Sequence, residues 1–257
     1  MRILINGISG HMGREVAALC ERGYRGAELA LGVDRAAGAL GECPIYDGFD
    51  NVPEGAAIDC IVDFSHHSAA IPLLAFAEAR GIPTVVATTG HTDEEMSAIR
   101  AAAENIPVFH SANMSLGVAL LVELAKTAAL AMPEAEIEII EKHHNRKLDA
   151  PSGTALMIAN ALCDVRPEAY TNLGRSGQGK RTREEIGIHA IRMGNIVGEH
   201  EVIVGTDSQT ITLKHEAHSR ALFAEGALAA AAFIVARRPG LYDMKSLVSS
   251  DAECAAL

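Results

Sequence analysis

The opening stretch Arg2-Ile3-Leu4-Ile5-Asn6-Gly7-Ile8-Ser9-Gly10-His11-Met12-Gly13 constrains the fold more than any other segment. A short apolar run enters closely spaced glycines, after which Met12, Val16, Leu19 and Cys20 recur at helical spacing. Such a chain turns sharply from a buried strand into a helix. The first N–H groups of that helix lack intrahelical partners, so they favour negative charge at the turn. Asp34 ends the next strand candidate, Ala27–Asp34, and lies 21 residues past Gly13. A carboxylate there can accept hydrogen bonds from an adenosine ribose. Strand, turn, helix, strand and acid in this order point to a dinucleotide, although the spacing is GxxGxxG, with Ser9 in place of the usual second glycine. Arg35 can pair with a 2′-phosphate or lie on the surface, so Asp34-Arg35 leaves NADH against NADPH open.

The alternation continues. Strands are expected over Ile58–Phe64, Ile82–Thr88 and Ile106–His110, with helices over His67–Arg80 and Thr92–Glu104, the latter capped by Thr92. Residues 34–55 lack periodicity and read as loop and short turns. This pattern predicts a mostly parallel sheet covered by helices. Thr88-Thr89-Gly90 and Ser111-Ala112-Asn113-Met114 end the fourth and fifth strands, where an open parallel sheet binds ligands. Both segments either line the nicotinamide half of a cofactor or are turn chemistry alone.

Beyond Asn113 the pattern changes. Ser115–Met132 reads as a helix closed by Pro133, Glu136–Lys142 as a strand and Ser152–Cys163 as a helix. Residues 166–185 read as a surface loop. Gly187–Arg192, Ile196–Gly205 and Gln209–Glu216 read as consecutive strands, which implies an antiparallel or mixed sheet. Leu222–Val235 reads as the final helix. The expected domains are 1–113 with 224–257, and 114–223.

Lys and Arg number 22 and Asp and Glu 33, a net charge of −11, which gives a nucleic-acid role no support. The five cysteines, Cys20, Cys43, Cys60, Cys163 and Cys254, form no CxxC pair and are expected as free thiols of a reducing cytoplasm. No apolar run is long enough to span a bilayer. Against this acidic background Glu141-Lys142-His143-His144-Asn145-Arg146-Lys147-Leu148-Asp149-Ala150-Pro151-Ser152-Gly153-Thr154-Ala155 concentrates cations just before a helix start. Three readings compete. Glu141, His143 and His144 are metal-ligand types, but neighbours on a strand face opposite ways. A solvated basic loop is the second. The third is a pocket for an anionic substrate, with the helix start at Ser152-Gly153-Thr154 gripping a carboxylate and a histidine or lysine supplying a proton.

The segment Glu141–Ala155 resembles the E-x-H-H-x-x-K-x-D-A-P-S-G-T-A signature of the 4-hydroxy-tetrahydrodipicolinate (dihydrodipicolinate) reductase family. Met12-Gly13-Arg14, Thr88-Thr89-Gly90, Ala112-Asn113, Gly198-Glu199-His200 and Gly240-Leu241-Tyr242-Asp243-Met244 are similar to that family too, in order along the chain. The resemblance implies a Rossmann-like parallel-sheet domain, completed by a C-terminal helix, and an α+β substrate and oligomerisation domain with a mixed sheet. It implies a cytoplasmic homotetramer that acts on a small dicarboxylate with NADH or NADPH and no metal. His143 and Lys147 are implied as catalytic, with His144, Ser152, Gly153 and Thr154 binding substrate. Gly7, Ile8, Ser9, Gly10, His11, Met12, Asp34, Arg35, Ala87, Thr88, Thr89, Ser111, Ala112, Asn113 and Met114 are implied as cofactor contacts. Ala87 stands where many members have glycine, and Ser65-His66-His67 where some carry an arginine toward NADPH.

Overall fold

The computed structural model describes residues 1–254. In chain order it forms β1 (Arg2–Asn6), α1 (His11–Glu21), β2 (Glu28–Val33), β3 (Gly38–Leu40), β4 (Cys43–Tyr46), β5 (Cys60–Asp63), α2 (Ala70–Arg80), β6 (Thr84–Val86), α3 (Asp93–Ala102) and β7 (Pro107–His110). There follow α4 (Leu116–Ala131), β8 (Glu136–His143), α5 (Gly153–Val165), β9 (Tyr170–Leu173), β10 (Glu185–Arg192), β11 (Gly198–Thr206), β12 (Gln209–Ala217), α6 (Ala221–Ile234), β13 (Gly240–Tyr242) and α7 (Met244–Cys254). Two units result: Met1–Leu116 together with the chain from Ala221 on, and Gly117–Arg220. The boundaries expected from the sequence lie three residues away at each crossing. Residues 255–257 of the expected first domain, and the side chain of Cys254, lie outside the described residues. Cys20, Cys43, Cys60 and Cys163 are free thiols.

The first unit is an eight-stranded sheet in the order β13-β7-β6-β5-β1-β2-β4-β3. Every pairing is parallel except β3 with β4. Ile3, Leu4 and Ile5 of β1 and Ile61 and Val62 of β5 are fully buried, as strands covered on both faces must be. Thr92 and Glu95 close a reciprocal capping box at the start of α3. Helix α6 returns to this unit, and Gly226 lets it lie directly on the Met114 carbonyl, which a side chain would overlap. Residues 34–55 are not all loop, because β4 adds to β2 through Gly32↔Ile45 and Val33↔Tyr46 and β3 folds back on β4. Such short strands carry no periodicity of their own; pairing with a formed edge orders them. Nor is α6 the last helix, since β13 pairs with β7 and α7 follows.

The second unit is a mixed five-stranded sheet, β12-β11-β8-β10-β9, with β8, β10 and β9 parallel and β11 and β12 antiparallel. Residues 166–185, expected as loop, contribute β9 at its edge. Along β8 the side chains alternate. Ile137, Ile139, Glu141 and His143 face inward, and the two isoleucines pack on Leu121 and Ala125 of α4 and Ile158 and Leu162 of α5. The inner row therefore begins apolar and ends in an acid and a histidine.

Candidate active site

The glycine turn of the first unit is built as a close-approach backbone. Gly7 has φ of +81°, and a β-carbon there would stand 2.8 Å from the Phe64 oxygen. A β-carbon on Gly13 would overlap the Gly7 carbonyl oxygen, so α1 can start only because that residue is bare. Ile8 is buried, Ser9 and Gly10 are exposed, and His11 and Met12 open α1. The Ser9 N–H donates to the Asp34 carboxylate at 2.8 Å, and the Arg35 N–H donates to its other oxygen at 2.8 Å. Burial opposes these bonds, but they prevail and hold the Asp34 carboxyl below its ordinary range. A cavity of about 520 Å³ is lined by Gly7, Gly10, Asp34, Arg35, Phe64 and Ser65, among others. It lies where the strand order reverses between β1 and β5, the usual ligand position in such a sheet.

Ala87, Thr88 and Thr89 follow β6, and Ser111 through Met114 follow β7, on the same carboxyl edge. Ala87, Thr88 and Thr89 line a second hollow of about 230 Å³ with Ser65 and His67. Asp63, at the end of β5, ties this edge together. Its carboxylate accepts from Asn6 Nδ2 at 2.8 Å, from the Ser65 hydroxyl and from Thr88 Oγ1 at 2.7 Å. Burial still raises its carboxyl above the usual range, because those donors offset only part of the cost. The Ser111 hydroxyl donates to the Asn113 carbonyl, and the Asn113 side chain accepts from Ser115 N–H, fixing the last loop. The sequence reading did not single out Asp63; an acid ending a wholly apolar strand was the available signal.

In the second unit the inner row of β8 ends in a polar network. Glu141 is fully buried. Arg192, from the end of β10, donates to both its oxygens, at 2.7 and 2.6 Å. His143 Nδ1 lies 2.6 Å from the same carboxylate, and the Ser152 N–H donates to it at 2.9 Å. Burial alone would raise the Glu141 carboxyl, but Arg192, His143 and Ser152 outweigh it and hold it below its ordinary range. Ser152 caps α5 by accepting from Ala155 N–H, and its hydroxyl lies 3.2 Å from His200 Nε2. The His143 and His200 rings meet edge to face at 5.2 Å. Burial pushes the His200 imidazole down to about 4, aided by charge on His143, so it is neutral near pH 7. Both Glu141 oxygens are thus occupied by donors. Among the described residues no His, Cys, Asp and Glu cluster has the form of a metal site.

The remaining sequence candidates sit on the lip of this network. Gly153 and Thr154 begin α5. Lys147 Nζ pairs with Asp149 at 2.8 Å, and Lys147, with a smaller contribution from the Gly153 N–H, holds that carboxyl below its usual range. His144 donates its backbone N–H to Ile196 and keeps a buried Nδ1 without a hydrogen-bond partner. Burial lowers its imidazole first, then the cations Arg146, Arg220, His143 and Lys147. That field marks a local positive region in an acidic chain. The sequence reading gave no role to Arg192, His200 or Arg220, which reach the cluster from distant strands and the end of the unit.

A Rossmann-type nucleotide sheet joined to a second unit that presents an acid–histidine pair beside a cationic helix start defines an oxidoreductase of the two-unit dehydrogenase class. Residues 1–114 match the family described as dihydrodipicolinate reductase, N-terminus, and residues 117–248 match dihydrodipicolinate reductase, C-terminus. The chain belongs to the dihydrodipicolinate reductase family. It is 46% identical over 252 residues to the 4-hydroxy-tetrahydrodipicolinate reductase of Caldanaerobacter subterraneus subsp. tengcongensis, covering 96% of this chain and 98% of the relative. It is 40% identical to that of Clostridium tetani, covering 97% and 98%. The dipicolinate-bound dihydrodipicolinate reductase of Paenisporosarcina sp. TG-14 superposes with a TM-score of 0.80 at 25% identity, covering 95% of this chain and 97% of that one.

Proposed function

We propose that this protein reduces 4-hydroxy-tetrahydrodipicolinate to tetrahydrodipicolinate with NADH or NADPH in lysine and diaminopimelate biosynthesis, with His143 as the acid. The carrying observation is the 2.6 Å contact of His143 Nδ1 with a carboxylate that Arg192 keeps ionised. That contact leaves Nε2 as the nitrogen for substrate. Overall, substrate, NAD(P)H and a proton give tetrahydrodipicolinate, NAD(P)⁺ and water.

The first unit would hold the dinucleotide: the pyrophosphate over Gly7–Met12, the ribose on Asp34, and the nicotinamide half along Ala87–Thr89 and Ser111–Met114. The bare backbone at Gly7 and Gly13 fits that group. Arg35 would favour a 2′-phosphate. The cofactor supplies hydride; the chain's residues supply alignment and a proton.

In the second unit one substrate carboxylate would take the α5 start at Ser152, Gly153 and Thr154, displacing Asp149 from Lys147. The other would meet His144 within the field of Arg146 and Arg220. Loss of the 4-hydroxyl as water gives the conjugated imine; a ring carbon of that imine which accepts hydride leaves negative charge on its conjugated partner, and protonation from His143 discharges it, with Lys147 as a second donor. A positioned acid contributes roughly 10²–10⁴-fold. By the family resemblance we take the enzyme to be a cytoplasmic homotetramer; no helix among the described residues is apolar and long enough to cross a membrane.

The test is NADH oxidation in the presence of the condensation product of pyruvate and aspartate semialdehyde. His143→Gln and Lys147→Ala are expected to cut turnover sharply with NADH affinity nearly unchanged. Full turnover in both variants refutes the assignment of the donors; no turnover by the wild type refutes the substrate.

A further inference from the structure

Glu141 and Arg192 lie 51 residues apart in sequence, yet the structure fits them together as one device. The parallel register of β10 on β8 sets Arg192 opposite His143 and Ala190 opposite Glu141, on the helix-covered face. From there the guanidinium forks onto both Glu141 oxygens and also donates to the Asp149 carbonyl at 2.8 Å. The same carboxylate holds His143 Nδ1 and the Ser152 N–H. A fully buried carboxylate beside an imidazole faces a choice. Left alone, it takes the proton itself, giving a neutral acid and a neutral histidine. With a guanidinium clamped on it, it stays ionised, and an imidazolium beside it is stabilised.

We propose that Glu141 and Arg192 are positioning residues that keep His143 with its Nδ1–H directed at Glu141 and its transferable proton on Nε2. The inference rests on the reading of His143 as the acid. Arg192 decides where the proton resides: on His143, from which it can be delivered, rather than on Glu141, where it is trapped behind the ring. During the step the Nε2–H bond breaks, the proton passes to the substrate carbanion, and His143 is left neutral with Nδ1–H still on Glu141. The next proton comes from solvent.

The groups that face His143 agree with this assignment. His200 on β11, with His215 opposite it on β12, is neutral near pH 7 and does not compete for the proton. His144 and Lys147 follow β8, and the Ser152 cap of α5 donates its N–H to the Glu141 carboxylate. Glu141 is therefore the one anion bonded to the ring among the described residues.

Four substitutions and one spectrum test this. Because the carboxylate favours a proton on the ring it touches, its loss in Glu141→Gln is expected to move the descending limb of the kcat pH profile to lower pH. The kcat of that variant is expected to fall about 100-fold, with NADH and dipicolinate affinities retained. Arg192→Met should lower kcat comparably while its descending limb moves to higher pH, because the proton is then held on Glu141 with no cation opposing it, and Arg192→Lys, which restores charge without the fork, should recover part of the rate. A purely structural role would lower stability and leave the pH profile in place. In wild-type protein carrying ¹⁵N-histidine, neutral His143 should be protonated at Nδ1. A Glu141→Gln enzyme within about threefold of wild-type kcat and with an unmoved profile overturns the proposal, as does a wild-type His143 bare at Nδ1. If Glu141→Gln does not fold, the wild-type spectrum decides. His143→Gln assayed in parallel separates the failures: a fast His143→Gln enzyme removes the acid itself, whereas a slow one beside an unimpaired Glu141→Gln removes only the clamp.

Discussion

A β-carbon on Gly198 would stand 3.1 Å from Nε2 of His143. The ring cannot easily retreat, because its other nitrogen is held by Glu141 at 2.6 Å. Gly198→Ala should therefore tilt the imidazole by a few tenths of an ångström while the fold survives. A misplacement of that kind in a proton donor is expected to lower kcat about tenfold or more. Steady-state kinetics beside a thermal melt checks it: unchanged kcat in a folded variant contradicts the packing described.

The turn in the first unit is less forgiving. Gly13→Ala would drive a methyl into the Gly7 carbonyl oxygen, and both groups are backbone-fixed. We expect a loss of about 3 kcal/mol or more, together with loss of NADH binding. Urea unfolding and fluorescence titration with NADH read the two effects. A variant of native stability that binds NADH normally would show that the turn can relax.

Asp34 and Arg35 should divide cofactor choice between them. Asp34 already takes two backbone N–H groups and retains lone pairs toward the cavity. Asp34→Ala should weaken NADH about tenfold, whereas Arg35→Ala should weaken NADPH alone. Equal losses for both cofactors in both variants would deny them that role.

His200 supplies a pH signature of stability. Its imidazole titrates near 4 in the folded protein against an ordinary value of 6.5. The unfolded chain thus binds the proton first, and stability falls as pH drops from about 6.5 to about 4. The residue is 4% exposed, so the full loss is on the order of 3 kcal/mol. His110 and His215, also lowered chiefly by burial, act in the same direction. Urea midpoints measured across this window should decline for wild type and flatten partly in His200→Gln. Parallel curves for the two proteins would rule His200 out as the source.

Much of this protein was written locally. The run from β1 through the glycines to Asp34 fixed a strand, a turn, a helix and an acid, since apolar spacing, bare glycines and free helix N–H groups act within a few residues. The Thr92 cap and the Ser152 start of α5 were legible for the same reason, and Glu141–Ala155 drew a basic lip before a helix. Tertiary structure decided what that lip does. Arg192 reaches Glu141 only because β10 pairs parallel with β8, and His200 reaches Ser152 only because β11 lies on the other side. Asp63 joins Asn6, Ser65 and Thr88 only once β1, β5 and β6 are side by side. Strands β3, β4, β9 and β13 likewise exist because a formed edge accepts them. Strand pairing joins residues dozens of positions apart, and no periodicity within a segment encodes its partner.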